Sequence, residues 1–191
     1  MAGFKMKIGV VSDTHGCLET WRAIYRRYLA DCDFILHAGD VLYHGPRNAI
    51  PAEYNPRELA GELNACPVPL IIAAGNCDAE VDGLVLDMPV QAPYAYVFAA
   101  GRRIIVHHGQ HLDAAGRLAT AKKLGAAVFV SGHSHVAELT KQDGVVLLNP
   151  GAPAAAMSKR PDKLGTIALL NDGRAEIIAV ESGAVLAQES L

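Results

Sequence analysis

The feature that most restricts how this chain can fold is an alternation in its first half between short apolar runs and amphipathic stretches. Residues 7–12, 34–38 and 68–74 are brief, rich in β-branched and other large apolar side chains, and apolar nearly throughout, the pattern of strands covered on both faces. Between the first two, residues 18–29 carry Leu18, Trp21, Tyr25 and Tyr28 at helical spacing. Between the second and third, Asn55, Pro56 and Glu58 supply a cap, a first-turn proline and an acidic third position ahead of Leu59 and Leu63. Strand, helix, strand, helix, strand predicts a parallel sheet covered by helices.

The second half is richer in strands. Residues 96–99 and 103–107 read as strands around a turn at Gly101, and 113–124 as a helix stopped by Gly125. A strand over 127–131 follows. Two hairpins close the pattern: 136–148 turning near Asp143 and Gly144, and 166–180 turning near Asp172 and Gly173. The expected fold class is α/β (α+β), with two mixed sheets packed together and helices outside. No linker divides the chain, so residues 1–191 are read as one domain.

Composition narrows the function. Hydrophobic residues make up 51% of the 191 and charged residues 19%, enough for a sizeable core and too apolar for disorder. A formal net charge of -3 lacks the basic field of a dedicated nucleic-acid binder, while leaving room for a nucleotide substrate. Cys17, Cys32, Cys66 and Cys77 form no C-x-x-C pair, and the apolar run at residues 8–11 is too short for a signal core. Reduced thiols in a soluble cytoplasmic protein are therefore expected, with no membrane span. The apolar C-terminal half leaves room for a homo-oligomer.

The chemistry lies where the strands stop. The first-half strands run into Ser12–Asp13–Thr14–His15–Gly16, Gly39–Asp40 and Gly75–Asn76–Cys77–Asp78; later strands end in His107–His108–Gly109 and Gly132–His133–Ser134–His135. Ligands of α/β sheets bind at the carboxyl ends of parallel strands. Asp13, His15, Asp40, Asn76, His108, His133 and His135 can therefore converge there. Imidazole, carboxylate and amide oxygen together suit Mn²⁺, Fe²⁺ or Zn²⁺, and seven groups suit two ions. In an extended backbone the spacing of two would aim Asp13 with His15, and His133 with His135, to one side. Taken singly, each has an ordinary reading: Asp13 as a helix cap, Asp40 and Asn76 as turn residues, His108 as a hydrogen-bonded core histidine. Their occurrence together, in order and each at a strand end, favours metal.

The ordered set D-x-H, G-D, G-N-x-D, H-G and G-H-x-H resembles the calcineurin-like metallophosphoesterase superfamily over residues 7–180. H-G-P-R-N at residues 44–48 and G-N-C-D-A-E-V-D at 75–82 resemble its YfcE-type phosphodiesterase branch. The resemblance implies a four-layer αββα sandwich and a metal-dependent phosphoesterase, most simply a phosphodiesterase, acting on a small phosphate ester. A phosphomonoesterase or nucleotide phosphatase, and a non-catalytic protein-binding scaffold of the same fold, are the alternatives. It further implies one ion held by Asp13, His15, Asp40 and His135, and another by Asp40, Asn76, His108 and His133. Mn²⁺ is the expected metal, with Fe²⁺, Zn²⁺ or Ni²⁺ able to substitute. Asp40, Asn76 and His108 would then be catalytic, and Arg47 and Asn48 would contact substrate. Asp78 is expected either to accept a ring proton from a metal-bound histidine or to serve as a turn aspartate.

Three positions depart from the superfamily's pattern: Cys77 stands where a histidine is frequent, Gln110 where the nearer branch has H-G-H, and Ala152 where N-P-G-S is frequent. Two divalent charges less two carboxylates and one hydroxide leave a single positive charge. That would match a diester monoanion better than a monoester dianion, unless a base such as Arg47 compensates.

Overall fold

The structure, a computed structural model, describes residues 6–191. It contains strands β1 (Lys7–Val11), β2 (Phe34–His37), β3 (Leu70–Ala73), β4 (Val90–Gln91), β5 (Ala95–Ala99) and β6 (Arg102–Val106). These are followed by β7 (Val128–Val130), β8 (Glu138–Gln142), β9 (Val145–Asn149), β10 (Thr166–Asn171), β11 (Arg174–Ala179) and β12 (Val185–Ser190). The helices are α1 (Leu18–Ile24), α2 (Pro56–Asn64), α3 (Asp82–Val85) and α4 (Ala114–Lys123), with a π-helical segment at Tyr25–Leu29 continuing α1.

One sheet has the order β12-β11-β10-β1-β2-β3-β4, the other β5-β6-β7-β9-β8. In the first, β1 to β4 run parallel and β10 joins β1 antiparallel. In the second, β6, β7 and β9 run parallel, with β5 and β8 antiparallel at the edges. The two-residue period of a strand distributes the core. Ile8 and Val10, Ile104 and Val106, and Val128 and Val130 point into one cluster between the sheets. Their neighbours face outward: Val11 beneath Trp21, Ile24 and Leu59, and Ile105 and Phe129 beneath α4. Four layers result, with α1 and α2 over one sheet and α4 over the other.

Local chemistry accounts for most boundaries. Asn55 caps α2 through its side-chain oxygen, which accepts the Glu58 N–H at 3.2 Å, with Pro56 at the first helical position. Asp113 caps α4 in the same way through Gly116 N. The helix expected at 18–29 keeps its α geometry only to Ile24. Three elements lacked a sequence signal. β4 has two residues and α3 four, both too short for periodicity. β12 is a largely exposed edge strand whose pairing with β11 supplies its order.

Candidate metal centre

The carboxyl ends of β1, β2, β3, β6 and β7 meet at one edge of the sandwich, and main-chain bonds tie their loops together. Asp13 N donates to Gly39 O, His15 N to Asp40 O, and Gly132 N to His108 O. Asp13 spans the two sheets, its Oδ2 accepting His133 N at 3.0 Å. It does not cap α1, whose N-cap position is Cys17 with no side-chain bond.

Side chains converge on Asp13 Oδ1 and Asp40 Oδ2. His135, His15 and His108 present Nε2 to Asp13 Oδ1 at 3.3, 3.8 and 3.9 Å. His108 and His15 Nε2 also lie 3.3 and 3.6 Å from Asp40 Oδ2. Asp40 Oδ1 is held by Cys77 N at 2.8 Å. Each of the three histidines donates its Nδ1–H to a main-chain carbonyl: His15 to Tyr43 at 2.6 Å, His108 to Ala38 and His135 to Met157, both at 2.7 Å. Those bonds orient each Nε2 inward, as in metal-binding imidazoles.

The backbone expected at 133 and 135 requires correction: both residues are left-handed rather than extended, with φ of 68° and 57°. Both rings nonetheless line one cavity, His133 with its ring 5.2 Å from that of His108 and His135 with its ring 4.9 Å from that of His15. Asp13 and His15, also left-handed at 54° and 45°, do converge. Asn76 is exposed on the cavity wall and donates to Cys77 Sγ at 3.3 Å, leaving its amide oxygen uncommitted by that bond.

Asp78 is the turn aspartate rather than an acceptor for a ring proton. Its carboxylate receives the N–H groups of Asp40, Val41 and Gly75, locking the two loops that carry Asp40 and Asn76. Asn149, at the end of β9, holds the histidine loop by donating to Gly132 O and Ser134 Oγ. Ala152 is buried with Cys17, Ala154 and Met157, so it packs beneath the carbonyl that orients His135.

A cavity of about 790 Å³ opens over this cluster, lined by His15, Asp40, Asn76, His133 and His135 and by Arg47, Asn48, Gln110 and Lys159. Asn48 turns its amide N–H to His44 O at 2.8 Å, bracing its own loop. Lys159 has no motif around it and was not legible as a site residue.

The donor set fits cations. Asp13 Oδ1 and His108 Nε2 are buried without a hydrogen-bond partner. His15 and His135 Nε2 face one another at 3.1 Å, although each ring's N–H is committed elsewhere. Two neutral imidazole lone pairs at that distance repel, and a cation relieves the repulsion. Burial pushes the Asp13 carboxyl up to about 6 and holds His15 and His135 below the usual imidazole range. At His108 burial acts in the same downward direction, but its contact with Asp40 and the charge of Asp13 outweigh it and raise the ring to about 9.

The imidazolium of His108 therefore contributes stability to the metal-free fold that is full below about 6.5 and fades as pH rises through about 9. A metal-ligating ring is neutral, so ion binding at pH 7 is expected to release about one proton from His108. Titration calorimetry in buffers of different ionisation enthalpy measures this, and a heat independent of buffer would contradict it.

A family model described as the calcineurin-like phosphoesterase superfamily domain matches residues 6–172. The chain belongs to that superfamily. It is similar to phosphodiesterase YfcE of Escherichia coli, with 30% identity covering 97% of this chain and 98% of that protein. The solved structure of the E. coli YfcE phosphoesterase superposes with a TM-score of 0.83 at 26% identity, covering 97% of this chain and 99% of the other. Vacuolar protein sorting 29 from Cryptosporidium parvum shares the fold, with a TM-score of 0.72 at 18% identity over 98% of this chain and 100% of that one. The superfamily uses divalent metals, in keeping with the clusters Asp13–His15–His135 and Asp13–Asp40–His108.

Calcineurin-like geometry here carries backbone strain. Asp13, His15, Asp40, His133 and His135, five of the seven proposed ligands, have positive φ, which costs an L-residue roughly 1–2 kcal/mol. His133 is exposed, so its substitution reads mainly the backbone. Metal-free His133→Gly is expected to be about 1 kcal/mol more stable than His133→Ala by thermal denaturation in chelator. Equal stabilities would remove strain from the description.

Proposed function

We propose that this calcineurin-like chain is a phosphodiesterase dependent on two divalent ions, Mn²⁺ foremost, that hydrolyses a small phosphate ester. The observation that carries the reading is the convergence of three Nε2-inward histidines on two buried carboxylates, with two site atoms left orphaned. Asp13, His15, Asp40 and His135 would hold one ion; Asp40, Asn76, His108 and His133 would hold the other. When bound, such a pair lowers the pKa of a shared water and neutralises charge developing on phosphate.

The chain's own residues supply placement and charge. Asp40 lies between the two ligand groups, one oxygen fixed by Cys77 N and the other directed at His15 and His108. Asn76 and His133 occupy the exposed side, where a phosphate would enter. Cys77 keeps its proton, since burial and the neighbouring Asp40 charge push its thiol up to about 12. It is therefore not the nucleophile. Arg47 lies on the cavity wall as the substrate-side cation.

A second reading, monoester or nucleotide hydrolysis, has a specific observation behind it: Lys159 joins Arg47 on the cavity wall, and the two cations could offset a dianion. Metal-depleted protein, tested on diesters and monoesters with Mn²⁺, Fe²⁺, Zn²⁺ and Ni²⁺ restored singly, separates the readings. Diester turnover restored best by Mn²⁺ is expected. Preference for monoesters would favour the second reading, and metal binding without hydrolysis would favour a scaffold.

A further inference from the structure

Beside the metal cavity lies a second one, of about 580 Å³, between α2 and α3. Its wall is apolar: Leu42, Ala60, Val81 and Val85, closed by the rings of Tyr43 and Tyr54. The two cavities share Tyr43, Cys77 and Ala79. Those shared residues belong to the architecture of the centre itself, since Tyr43 O orients His15 and Cys77 N holds Asp40. The phosphate position over the metals and the recess are thus neighbours, with Tyr43, Cys77 and Ala79 on the wall they share.

The polar groups of the recess are few and lie beside its apolar wall: Arg57 on α2, and Asp82, whose carboxylate accepts Ala79 N at 2.8 Å. The thiol of Cys77 is neutral at the dividing wall. Val81 and Val85 are left 57% and 47% exposed on its rim, as apolar side chains awaiting a cover are.

From this we infer that the recess beside the metal cavity receives an apolar alcohol substituent of the phosphate ester, so that the substrates are esters with an alkyl or aryl arm. The inference rests on the hydrolase reading for the position of the phosphate. Burial of each methylene favours binding, and a recess with an exposed rim realises only part of that gain. Gly61 offers the probe. It lines the recess, and a Cβ there meets nothing within 4 Å. Gly61→Phe would therefore fill the space without disturbing α2.

Calorimetric titration of Mn²⁺-supplemented protein with methylphosphonate and hexylphosphonate tests the recess by binding alone. The hexyl compound is expected to bind about tenfold more tightly and with a more negative heat capacity change. Gly61→Phe, and independently Val85→Asp, should bring the ratio close to one. Equal affinities in the unmodified protein would overturn the inference, as would a ratio unmoved by both substitutions.

A parallel assay on methyl and hexyl p-nitrophenyl phosphodiesters keeps the two claims apart. Hydrolysis of both esters without hexyl preference in binding would retain the phosphodiesterase and overturn the apolar subsite. Preferential hexyl binding with no hydrolysis would retain the subsite and overturn the phosphodiesterase.

Discussion

Asp40→Asn is expected to lower phosphodiester turnover by at least about 10³-fold and to leave the protein unable to retain its metal. Asp40 sends one oxygen toward both His15 and His108, at 3.6 and 3.3 Å, so losing its charge weakens both proposed ions together. Asparagine keeps an oxygen for Cys77 N but no longer offsets the charge of the His108 imidazolium. The metal-free variant should therefore melt below the metal-free parent near neutral pH, the gap closing as pH rises through about 9. The parent alone should gain stability on adding Mn²⁺, by about 2.7 kcal/mol at a hundredfold excess over Kd. Thermal denaturation with and without Mn²⁺, beside turnover, measures both. A variant that Mn²⁺ stabilises and that still hydrolyses ester would remove Asp40 from the site.

The second large effect is expected from a single methyl group. A Cβ on Gly75 would lie 2.2 Å from Asp40 Oδ1 and 2.4 Å from Asp40 N, atoms held by Cys77 and Asp78 and with nowhere to move. Gly75→Ala should cost about 1–3 kcal/mol, lowering Tm by roughly 2–12 °C for a chain of this size. It should also displace the Asp40 carboxylate and with it most of the turnover. Gly61→Ala is the matching control: the added methyl meets open space on α2 and should raise stability by about 0.5–1 kcal/mol. Opposite signs of the two Tm shifts are expected. Matching shifts would mean that the close approach between the Gly75 and Asp40 loops is not what glycine serves there.

Much of this arrangement was readable from the chain because buried parallel strands cannot hide their composition. Ile8–Val11, Phe34–Leu36 and Ile104–Val106 are apolar because both faces are covered, and each stops where polar chemistry begins. The cap at Asn55 and the glycine after α4 were equally plain. What the residues could not express was backbone handedness. Left-handed φ at His133 and His135 brings both rings to one cavity beside different partners, through a backbone other than the extended one that spacing suggested. The oriented Nδ1 bonds were invisible too, since their acceptors are carbonyls of Tyr43, Ala38 and Met157, which carry no side-chain signature. Asp78 offered two readings, and only the direction of three main-chain N–H groups decides for the turn. Lys159 reaches the cavity from a loop after β9 whose sequence contains no element signal.

The central claim, that residues from Asp13 to His135 enclose a pair of cations, is tested most directly by anomalous scattering at the manganese edge from crystals soaked in Mn²⁺. Two peaks about 3.5–4 Å apart are expected, one bounded by Asp13, His15 and His135, the other by Asn76, His108 and His133, with Asp40 between them. An anomalous map without density among these side chains, in crystals that bind manganese elsewhere, would contradict it.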